Sequence, residues 1–304
     1  MIYTVTVNPS IDYIVQLANL NLGEVNRMDY DNMLPGGKGI NVSRILQELG
    51  HDSIAWGFLG GFTGDFVKSS LEEVGLKTDF TPIEKNTRIN VKIKAEKETE
   101  INGRGPKLTD EELASFKKQF DKLTADDTVV FAGSLLPGLD DNFYFDLIKI
   151  IREKGAQFVI DTTGDSLLKT LPEHPLVVKP NNHELAEMFH VKFDGIDDIV
   201  KYAKKLLDMG AQHVLISMAG DGGLMVTKDK VYRSLAPKGT VINSVGAGDS
   251  MLAGFTGTYA QTKDPVEAFR YGLASGSATA FSEDLATKAK IDEILPQIKI
   301  TEYK

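Results

Sequence analysis

A regular alternation of strand-like and helix-like segments restricts the fold of this chain more than any other feature. Short apolar runs predict strands at 128–131, 157–160, 176–178 and 213–217. Helix-like segments precede or separate them at 110–123, 142–154, 181–189 and 195–209. Alternation at this length predicts an α/β fold with a central, mostly parallel sheet covered by helices on both faces. Ligands bind such sheets beyond the carboxyl ends of the strands, where Ser134, Asp161 and the polar run 179–184 fall.

The amino-terminal part carries a second pattern, typical of a small accessory sheet. An apolar strand at 2–7 is followed by a turn-like segment at 8–12 and by weak alternation at 13–17. Residues 87–94 alternate strictly, with Arg88 and Asn90 on a polar, basic face. A second strand at 98–102, ended by Gly103–Pro106, makes this a hairpin. The hairpin is either a solvated edge guarded by lysines or a lid that closes over an anionic substrate.

Composition excludes several classes of protein. The 304-residue chain has no cysteine, which rules out disulfides and thiolate metal sites. Its net charge of −9 argues against nucleic acid as a partner. No apolar run is long enough to span a bilayer, and residues 1–7 resemble a buried strand more than a signal peptide. We therefore expect a cytoplasmic protein with neither a membrane nor a nucleic acid as partner.

The segment Val245-Gly246-Ala247-Gly248-Asp249 stands directly before an apolar, helix-like run. Glycines allow a tight entry, and the first amides of a helix carry partial positive charge and have no internal partners. Such a start suits phosphate oxygens, with Asp249 placed to take a proton from a hydroxyl. The alternative is that Asp249 and Ser250 are ordinary first-turn residues after an ordinary loop.

Two further glycine clusters are each open to two interpretations. Gly36-Gly37-Lys38-Gly39 precedes a helix face at 42–49, but it lacks the spacing of a P-loop. It either binds an anion through Lys38 or forms a flexible turn. Ser217-Met218-Ala219-Gly220-Asp221-Gly222-Gly223 lies between two strand-like runs. It is either a hairpin turn, which the local sequence favours, or a wrap around a nucleotide phosphate.

Taken together, these motifs identify a family resemblance. GGKGIN at 36–41, KPNNHE at 179–184 and VGAGDSMLAGF at 245–255, with NPSID at 8–12 and SMAGDGG at 217–223, resemble the PfkB (ribokinase-like) sugar kinases over essentially the whole chain. The resemblance implies one kinase domain over 1–304, with a lid from residues near 12–34 and 86–104. It also implies ATP and Mg²⁺ as cofactors, and a homodimer that pairs through the lid.

The resemblance assigns roles residue by residue. It implies Asp249 as catalytic base and an anion hole at Gly246, Ala247 and Gly248. For the nucleotide it implies Lys179, Asn181, Ser217, Gly220, Asp221, Gly222 and Gly248, with Glu184 organising Mg²⁺ through water. For the sugar it implies Asp12, Gly37, Asn41 and Asn90, with Lys38, Arg88 and Arg104 on the phosphate that the sugar already carries.

Within the family, TRINVKI at 87–93 favours the branch that phosphorylates fructose 1-phosphate at its C6 hydroxyl. Tagatose 6-phosphate is the alternative substrate, because it also presents a phosphate at one end and a free primary hydroxyl at the other. Two functions from other classes are the alternatives to a kinase. The intact Asp249 and its glycines disfavour a nucleotide sensor without turnover. A dinucleotide oxidoreductase is disfavoured because Met251 replaces the third glycine of GxGxxG.

Overall fold

The computed structural model describes residues 1–140, 142–162 and 164–304. The strands are β1 (Ile2–Thr6), β2 (Ser10–Gln16), β3 (Tyr30–Gly36), β4 (Ser53–Gly60), β5 (Lys77–Thr78), β6 (Thr81–Ile83), β7 (Arg88–Lys94), β8 (Thr99–Asn102), β9 (Thr128–Ala132), β10 (Gln157–Asp161), β11 (Val214–Ser217), β12 (Gly223–Val226), β13 (Val231–Ser234) and β14 (Thr301–Tyr303). The α-helices are α1 (Lys38–Glu48), α2 (Gly61–Glu73), α3 (Asp110–Gln119), α4 (Phe143–Glu153), α5 (Gly164–Thr170), α6 (Asn182–Met188), α7 (Ile196–Asp208), α8 (Ala247–Thr262), α9 (Pro265–Ala280) and α10 (Lys288–Ile294).

The predicted parallel sheet is confirmed, in the order β10-β9-β1-β4-β5, with β6 also pairing with β4. Successive side chains of its strands enter different cores. Val129 and Phe131 join a core rich in aromatic residues, whereas Val130 joins the core beneath α1, α8 and α9. Burial on both faces explains why these strands are continuous apolar runs rather than alternating ones.

An antiparallel sheet, β11-β12-β13-β14, extends the parallel one. The connection is the segment predicted as a strand at 176–178. The Leu176 amide donates to the Phe158 carbonyl at 2.8 Å, and the Leu215 amide donates to the Val178 carbonyl at 2.9 Å. The segment thus bridges β10 and β11, although it forms only an isolated bridge at Val178 rather than a full strand.

A separate four-stranded sheet, β3-β2-β7-β8, forms the predicted lid. β2 and β7 run parallel, and their register places Asp12 opposite Asn90. Partners in register project to the same face of a sheet, so the polar residues of the two strands share one side. The lid sheet includes β3 from 30–36, which the sequence did not predict as a strand.

Helix α8 is held in place by close packing against α9. A Cβ atom at Gly254 would lie 2.6 Å from the Tyr271 carbonyl oxygen, and one at Gly276 would lie 2.9 Å from the Ala247 carbonyl oxygen. Glycine at both positions therefore lets the two backbones approach closely. This packing holds the first turn of α8 in its place against α9. None of the helices built from the described residues is long and apolar enough to cross a membrane.

Candidate active site

A cavity of about 1330 Å³ lies between the carboxyl ends of the central strands and the polar face of the lid. The structure brings nearly all of the predicted site residues to its walls. They are Asp12, Gly37, Lys38, Asn41, Arg88, Asn90, Lys179, Asn181, Glu184, Ser217, Gly220, Asp221, Gly222, Gly246, Ala247, Gly248 and Asp249. Asp12, Arg88 and Asn90 reach the cavity from the lid sheet. The others converge because parallel strands and their following loops end at the same edge of the sheet.

Asp249 lies in the first turn of α8 and is 95% buried. Gly246 precedes the helix in a left-handed conformation, with φ 78°. The Asn41 side-chain amide donates to Asp249 Oδ2 at 2.8 Å. Burial raises the pKa of the Asp249 carboxyl to about 6, and the negative charge of Asp161 adds to that rise. The residue is therefore a stronger base than an exposed aspartate, yet it is largely ionised at neutral pH.

The start of α8 has the chemistry of an anion site. The amides of Gly248 and Asp249, as first-turn amides, have no acceptor inside the helix. The Ala247 amide, in contrast, donates to the Ser244 carbonyl at 3.2 Å. A Cβ atom at Gly248 would lie 3.0 Å from Lys179 Nζ, so this ammonium group sits against the helix start. An anion bound here would meet both helix amides and a lysine.

Asp161, at the end of β10, joins two lysines of the cavity. Its carboxylate lies 3.3 Å from Lys38 Nζ and 3.6 Å from Lys179 Nζ. Burial opposes ionisation of Asp161, but the charges of Lys179 and Lys38 lower its pKa below the ordinary value. The sequence marked Asp161 only as a polar residue that ends a strand. Its pairing with Lys38 spans 123 positions along the chain, which no local signal reveals.

Asn181 and Glu184 form a capping box at the start of α6. The Glu184 amide donates to Asn181 Oδ1, and the Asn181 amide donates to Glu184 Oε2, each at 2.8 Å. Capping leaves lone pairs free on the carboxylate. Among the described residues no three His, Asp or Glu side chains form a metal cage. The single Glu184 carboxylate fits Mg²⁺, because this ion keeps most of its waters and binds through few carboxylates plus substrate phosphates.

The lid contributes an ordered polar cluster around Asp12. Asn90 donates to Asp12 Oδ1 at 2.9 Å and to Ser10 Oγ at 3.0 Å, while Ser10 donates to Asp12 Oδ1 at 2.8 Å. Lys92 Nζ lies 3.3 Å from Asp12 Oδ2. These contacts hold the Asp12 carboxylate in one orientation at the cavity wall. A fixed carboxylate of this kind is suited to accept hydrogen bonds from sugar hydroxyls.

The glycine cluster before α1 forms a helix start, as one of its two interpretations required. Gly37 is the residue before the helix and has φ 133°. A Cβ atom there would lie 2.5 Å from Thr6 Cγ2. Lys38 is the first helical residue, and Asn41 follows one turn later. Helix α1 thus brings an ammonium group and an amide to the same cavity wall.

Arg88 lines the cavity, and two of its five N–H donors are used by backbone carbonyls. Its two terminal nitrogens donate to the carbonyls of Gly103 and Asn8, each at 2.9 Å. Its Nε is buried and has no acceptor among the described residues. The guanidinium is therefore held at the start of β7, and each terminal nitrogen keeps one further N–H donor.

Arg104 is not brought into the cavity. It is exposed and does not belong to the residues that line the cavity wall. Its backbone carbonyl accepts a hydrogen bond from the Asn8 side chain at 3.1 Å. This bond holds the backbone that follows β8 against the segment after β1. The prediction that Arg104 contacts a bound phosphate would require this turn to move.

The third glycine cluster is the hairpin connection that the local sequence favoured, since Ser217 pairs with Gly223 across β11 and β12. Its Gly222 has φ 87°, and a Cβ atom there would lie 2.1 Å from the Ser234 carbonyl oxygen. The connection also lines the cavity, as do the apolar residues Ala236, Pro237, Val241 and Phe281. This end of the cavity can accommodate a flat aromatic base beside backbone amides.

Comparison with known proteins places this geometry in a family. The model of the "pfkB family carbohydrate kinase" matches residues 5–291. The 1-phosphofructokinase of Bacillus subtilis is 48% identical over 301 residues, 99% of each chain. The D-tagatose-1-phosphate kinase of Bacillus licheniformis is 37% identical over 302 residues, again 99% of each chain.

Solved structures agree with the sequence relatives. A Staphylococcus aureus protein described as a candidate phosphofructokinase superposes with a TM-score of 0.92 at 39% identity, covering 100% of this chain and 99% of that one. The family match and the full-length relatives together confirm the resemblance seen in the motifs. The chain belongs to the pfkB family of carbohydrate kinases.

Proposed function

We propose that this protein transfers the γ-phosphoryl group of ATP to the C6 hydroxyl of fructose 1-phosphate, giving fructose 1,6-bisphosphate and ADP, with Asp249 as general base. The position of Asp249 carries the proposal. The residue is buried where the sugar side of the cavity, through Asn41, meets the helix start beside Lys179. A 48% identical relative that is named for this activity supports the choice of substrate.

The base step follows from burial and orientation. Asn41 holds one Asp249 oxygen, so the other is free to accept the hydroxyl proton. A pKa of about 6 brings the carboxyl close to working pH while keeping it mostly ionised. General-base assistance of this kind contributes about 10²–10⁴-fold to rate. The proton moves from the sugar hydroxyl to Asp249 as the oxygen attacks phosphorus.

Charge on the transferred group is met by fixed donors. We assign the anion hole to Gly246, Ala247 and Gly248, with the Gly248 amide the best placed because it has no acceptor within α8. Preorganised amides of this kind stabilise a transition state without reorganising during the reaction. Phosphoryl transfer depends mainly on such positioning and neutralisation.

The nucleotide would occupy the end of the cavity formed by the β11–β12 connection. We assign the nucleotide phosphates to Lys179, Asn181 and the turn residues Ser217, Gly220, Asp221 and Gly222. The adenine ring would lie against the apolar residues Ala236, Pro237, Val241 and Phe281. Glu184 would hold Mg²⁺ through water, and the ion would supply further neutralisation of phosphate charge. The capping box holds Glu184 in place for this role.

The sugar phosphate would lie under the lid. We assign its hydroxyls to Asp12, Gly37, Asn41 and Asn90, and its phosphate to Lys38 and Arg88. Lys38 has three donor hydrogens, and Asp161 accepts one of them. Each terminal nitrogen of Arg88 keeps one hydrogen beyond those given to Gly103 and Asn8, and these would donate to the phosphate. Arg104 would join only if the lid closes further.

The whole chain, 1–304, would act as one kinase domain with lid segments near 12–34 and 86–104. A homodimer through the lid is part of the proposal. Large apolar side chains are exposed on the lid at Leu22, Val25, Met28, Tyr30, Met33, Ile89 and Ile101. Contiguous exposed apolar surface commonly marks an interface, and the molar mass in solution tests it. A cytoplasmic location stays a prediction.

A substrate panel tests the proposal. Purified protein is assayed with ATP and Mg²⁺ on fructose 1-phosphate, tagatose 1-phosphate, tagatose 6-phosphate, fructose 6-phosphate, fructose and ribose. We expect the highest kcat/KM on fructose 1-phosphate and negligible turnover of unphosphorylated sugars. A preference for either tagatose phosphate would replace the substrate but keep the reaction. A preference for ribose would also refute the phosphate contacts of Lys38 and Arg88.

A further inference from the structure

The segment 282–287, which follows α9, supports the turn that starts α8. The Asn243 side chain donates to the Glu283 carbonyl at 3.0 Å. Leu285 packs directly on the turn, since a Cβ atom at Gly246 would lie 2.6 Å from Leu285 Cδ2. None of the residues 282–287, all of which the structure describes, lines the cavity. The segment therefore contacts the residues of the anion site on the side that faces away from the cavity.

A buried chain of hydrogen bonds joins the same two parts. The Ala286 amide donates to Thr279 Oγ1 at 3.1 Å, and Ser250 Oγ donates to the Gly246 carbonyl at 2.8 Å. Thr279 Oγ1 and Ser250 Oγ are 2.8 Å apart. Because the Ser250 proton is already used, the Thr279 hydroxyl donates to Ser250. These hydrogen bonds link Ala286 to the Gly246 carbonyl through two buried hydroxyls.

The segment is also tied to α1, the helix that orients the proposed base. Arg44 NH2 lies 2.5 Å from Asp284 Oδ2, and NH1 lies 3.3 Å from Oδ1. The Lys288 amide donates to Glu48 Oε2 at 2.6 Å. Arg44 follows Asn41 by three positions, which places both side chains on one side of α1. The contacts thus form a closed ring from α1 through Asp249, the turn and segment 282–287 back to α1.

We propose that Arg44 and Asp284 are positioning residues for phosphoryl transfer. Their paired contact fixes segment 282–287 against α1 and so sets the distance between Asn41 and the first turn of α8. The inference rests on the proposed role of Asp249 as base. A partly exposed ion pair adds little to stability, but a two-point contact between arginine and a carboxylate fixes geometry. Small errors in placing reacting groups are costly to rate.

Kinetics of Asp284→Asn, Arg44→Met and the double variant test this role. We expect each single variant to lower kcat about 5- to 30-fold, because Asn41 and the first turn of α8 no longer hold their correct distance. KM for ATP and for the sugar phosphate should change less than threefold. The double variant should be no slower than the slower single variant, since the two residues act as one unit. Arg44→Lys keeps the charge and should retain more activity than Arg44→Met.

A matched control is Asp52→Asn, which breaks the exposed Lys77–Asp52 ion pair of 2.6 Å. It should leave kcat unchanged. Single variants of Arg44 and Asp284 with wild-type kcat, or losses that multiply in the double variant, would overturn the proposal. Equal activity of Arg44→Lys and Arg44→Met would overturn it as well.

A second measurement separates this proposal from the proposed function. Amide hydrogen exchange of residues 243–250 needs no turnover, and we expect it to be at least tenfold faster in Asp284→Asn than in wild type. If wild-type protein phosphorylates no sugar phosphate, the proposed function fails, whereas faster exchange would still show that the pair holds the turn. Unchanged exchange at 243–250 would refute the positioning role whatever the substrate.

Discussion

Replacing Asp249 with Asn removes the carboxylate while keeping the size of the side chain and an oxygen that can accept from Asn41. We expect kcat to fall by about 10²-fold or more, because the C6 hydroxyl loses its proton acceptor. ATP binding should change little, since the assigned nucleotide contacts lie on other residues. This combination would separate loss of the base from general damage to the cavity.

The same substitution should raise stability. The pKa of Asp249 rises from 3.8 to about 6 on folding, chiefly through burial. At about 1.4 kcal/mol per unit, the ionised carboxylate costs up to about 3 kcal/mol at neutral pH. An unfolding entropy of about 2 cal/mol/K per residue converts this into a rise of the thermal midpoint by about 5 °C at most. A neutral Asn avoids this cost.

The sign of the pH dependence provides an internal check. Because the folded pKa lies above the unfolded one, the cost is present above pH 6 and disappears as the pH falls through 6 towards 3.8. The stability advantage of Asp249→Asn over wild type should therefore shrink along the same range. Calorimetric midpoints of both proteins between pH 4.5 and 8 measure it. The matched control is Asp264→Asn at the exposed start of α9, where Asn is an equally good cap.

Two results would refute this reasoning. Near wild-type kcat in Asp249→Asn would show that the carboxylate is not the base. A lower thermal midpoint together with a lost kcat would show that the residue mainly supports the fold. The Asp264→Asn control should change neither quantity measurably.

Two further changes test other parts of the site, and a third tests a buried histidine outside it. Arg88→Met should raise KM for the sugar phosphate about 10- to 150-fold through the loss of one charged hydrogen bond to the ligand, and it should lower the thermal midpoint because the Gly103 and Asn8 carbonyls lose their donor; an equal rise in KM for ATP would place Arg88 elsewhere. Glu184→Gln keeps a capping-box residue but should raise the Mg²⁺ concentration for half-maximal rate at least fivefold in a metal titration, and an unchanged titration would remove Glu184 from the metal site. Burial lowers the pKa of His213, so the unfolded state binds the proton more readily and wild-type stability should drop as the pH falls below 6.5. Thermal midpoints at pH 8 and 5.5 should differ less in His213→Gln than in wild type, and an equal difference would assign the drop to other groups.

The sequence predicted the parts of the fold that local patterns specify. Strands such as 128–131 are buried on both faces, so their apolar runs are visible without tertiary information. The glycine clusters predicted turns at 37, 222 and 246, and each of these glycines has a positive φ in the structure. The architecture then implied that the loops after the strands meet at one edge, which is why most predicted site residues share one cavity.

Contacts between distant segments were not predictable in this way. The lid strand β3, at 30–36, pairs through backbone groups and has an exposed, weakly patterned sequence. Arg88 was expected to offer its guanidinium to a phosphate, yet two of its donors are held by the carbonyls of Gly103 and Asn8. The role of Asp161 could not be predicted, because its ion pairs with Lys38 and Lys179 form only in the folded chain.

The sugar end of the cavity combines several features that disfavour folding. Thr6 Oγ1, Asn8 Oδ1 and Arg88 Nε are buried polar atoms with no hydrogen-bond partner among the described residues, and all three residues line the cavity. An unpartnered buried polar group costs about 1–3 kcal/mol. Asp249 adds the cost of a buried charge. Local conflicts of this kind are expected where a protein keeps groups ready for a ligand. All three atoms are closed to solvent, so a sugar phosphate would reach them only with a shift of the lid. We therefore expect fructose 1-phosphate to change amide hydrogen exchange in β2 and β7 if it relieves these costs, and unchanged exchange there would show that the three atoms stay unpartnered in the complex.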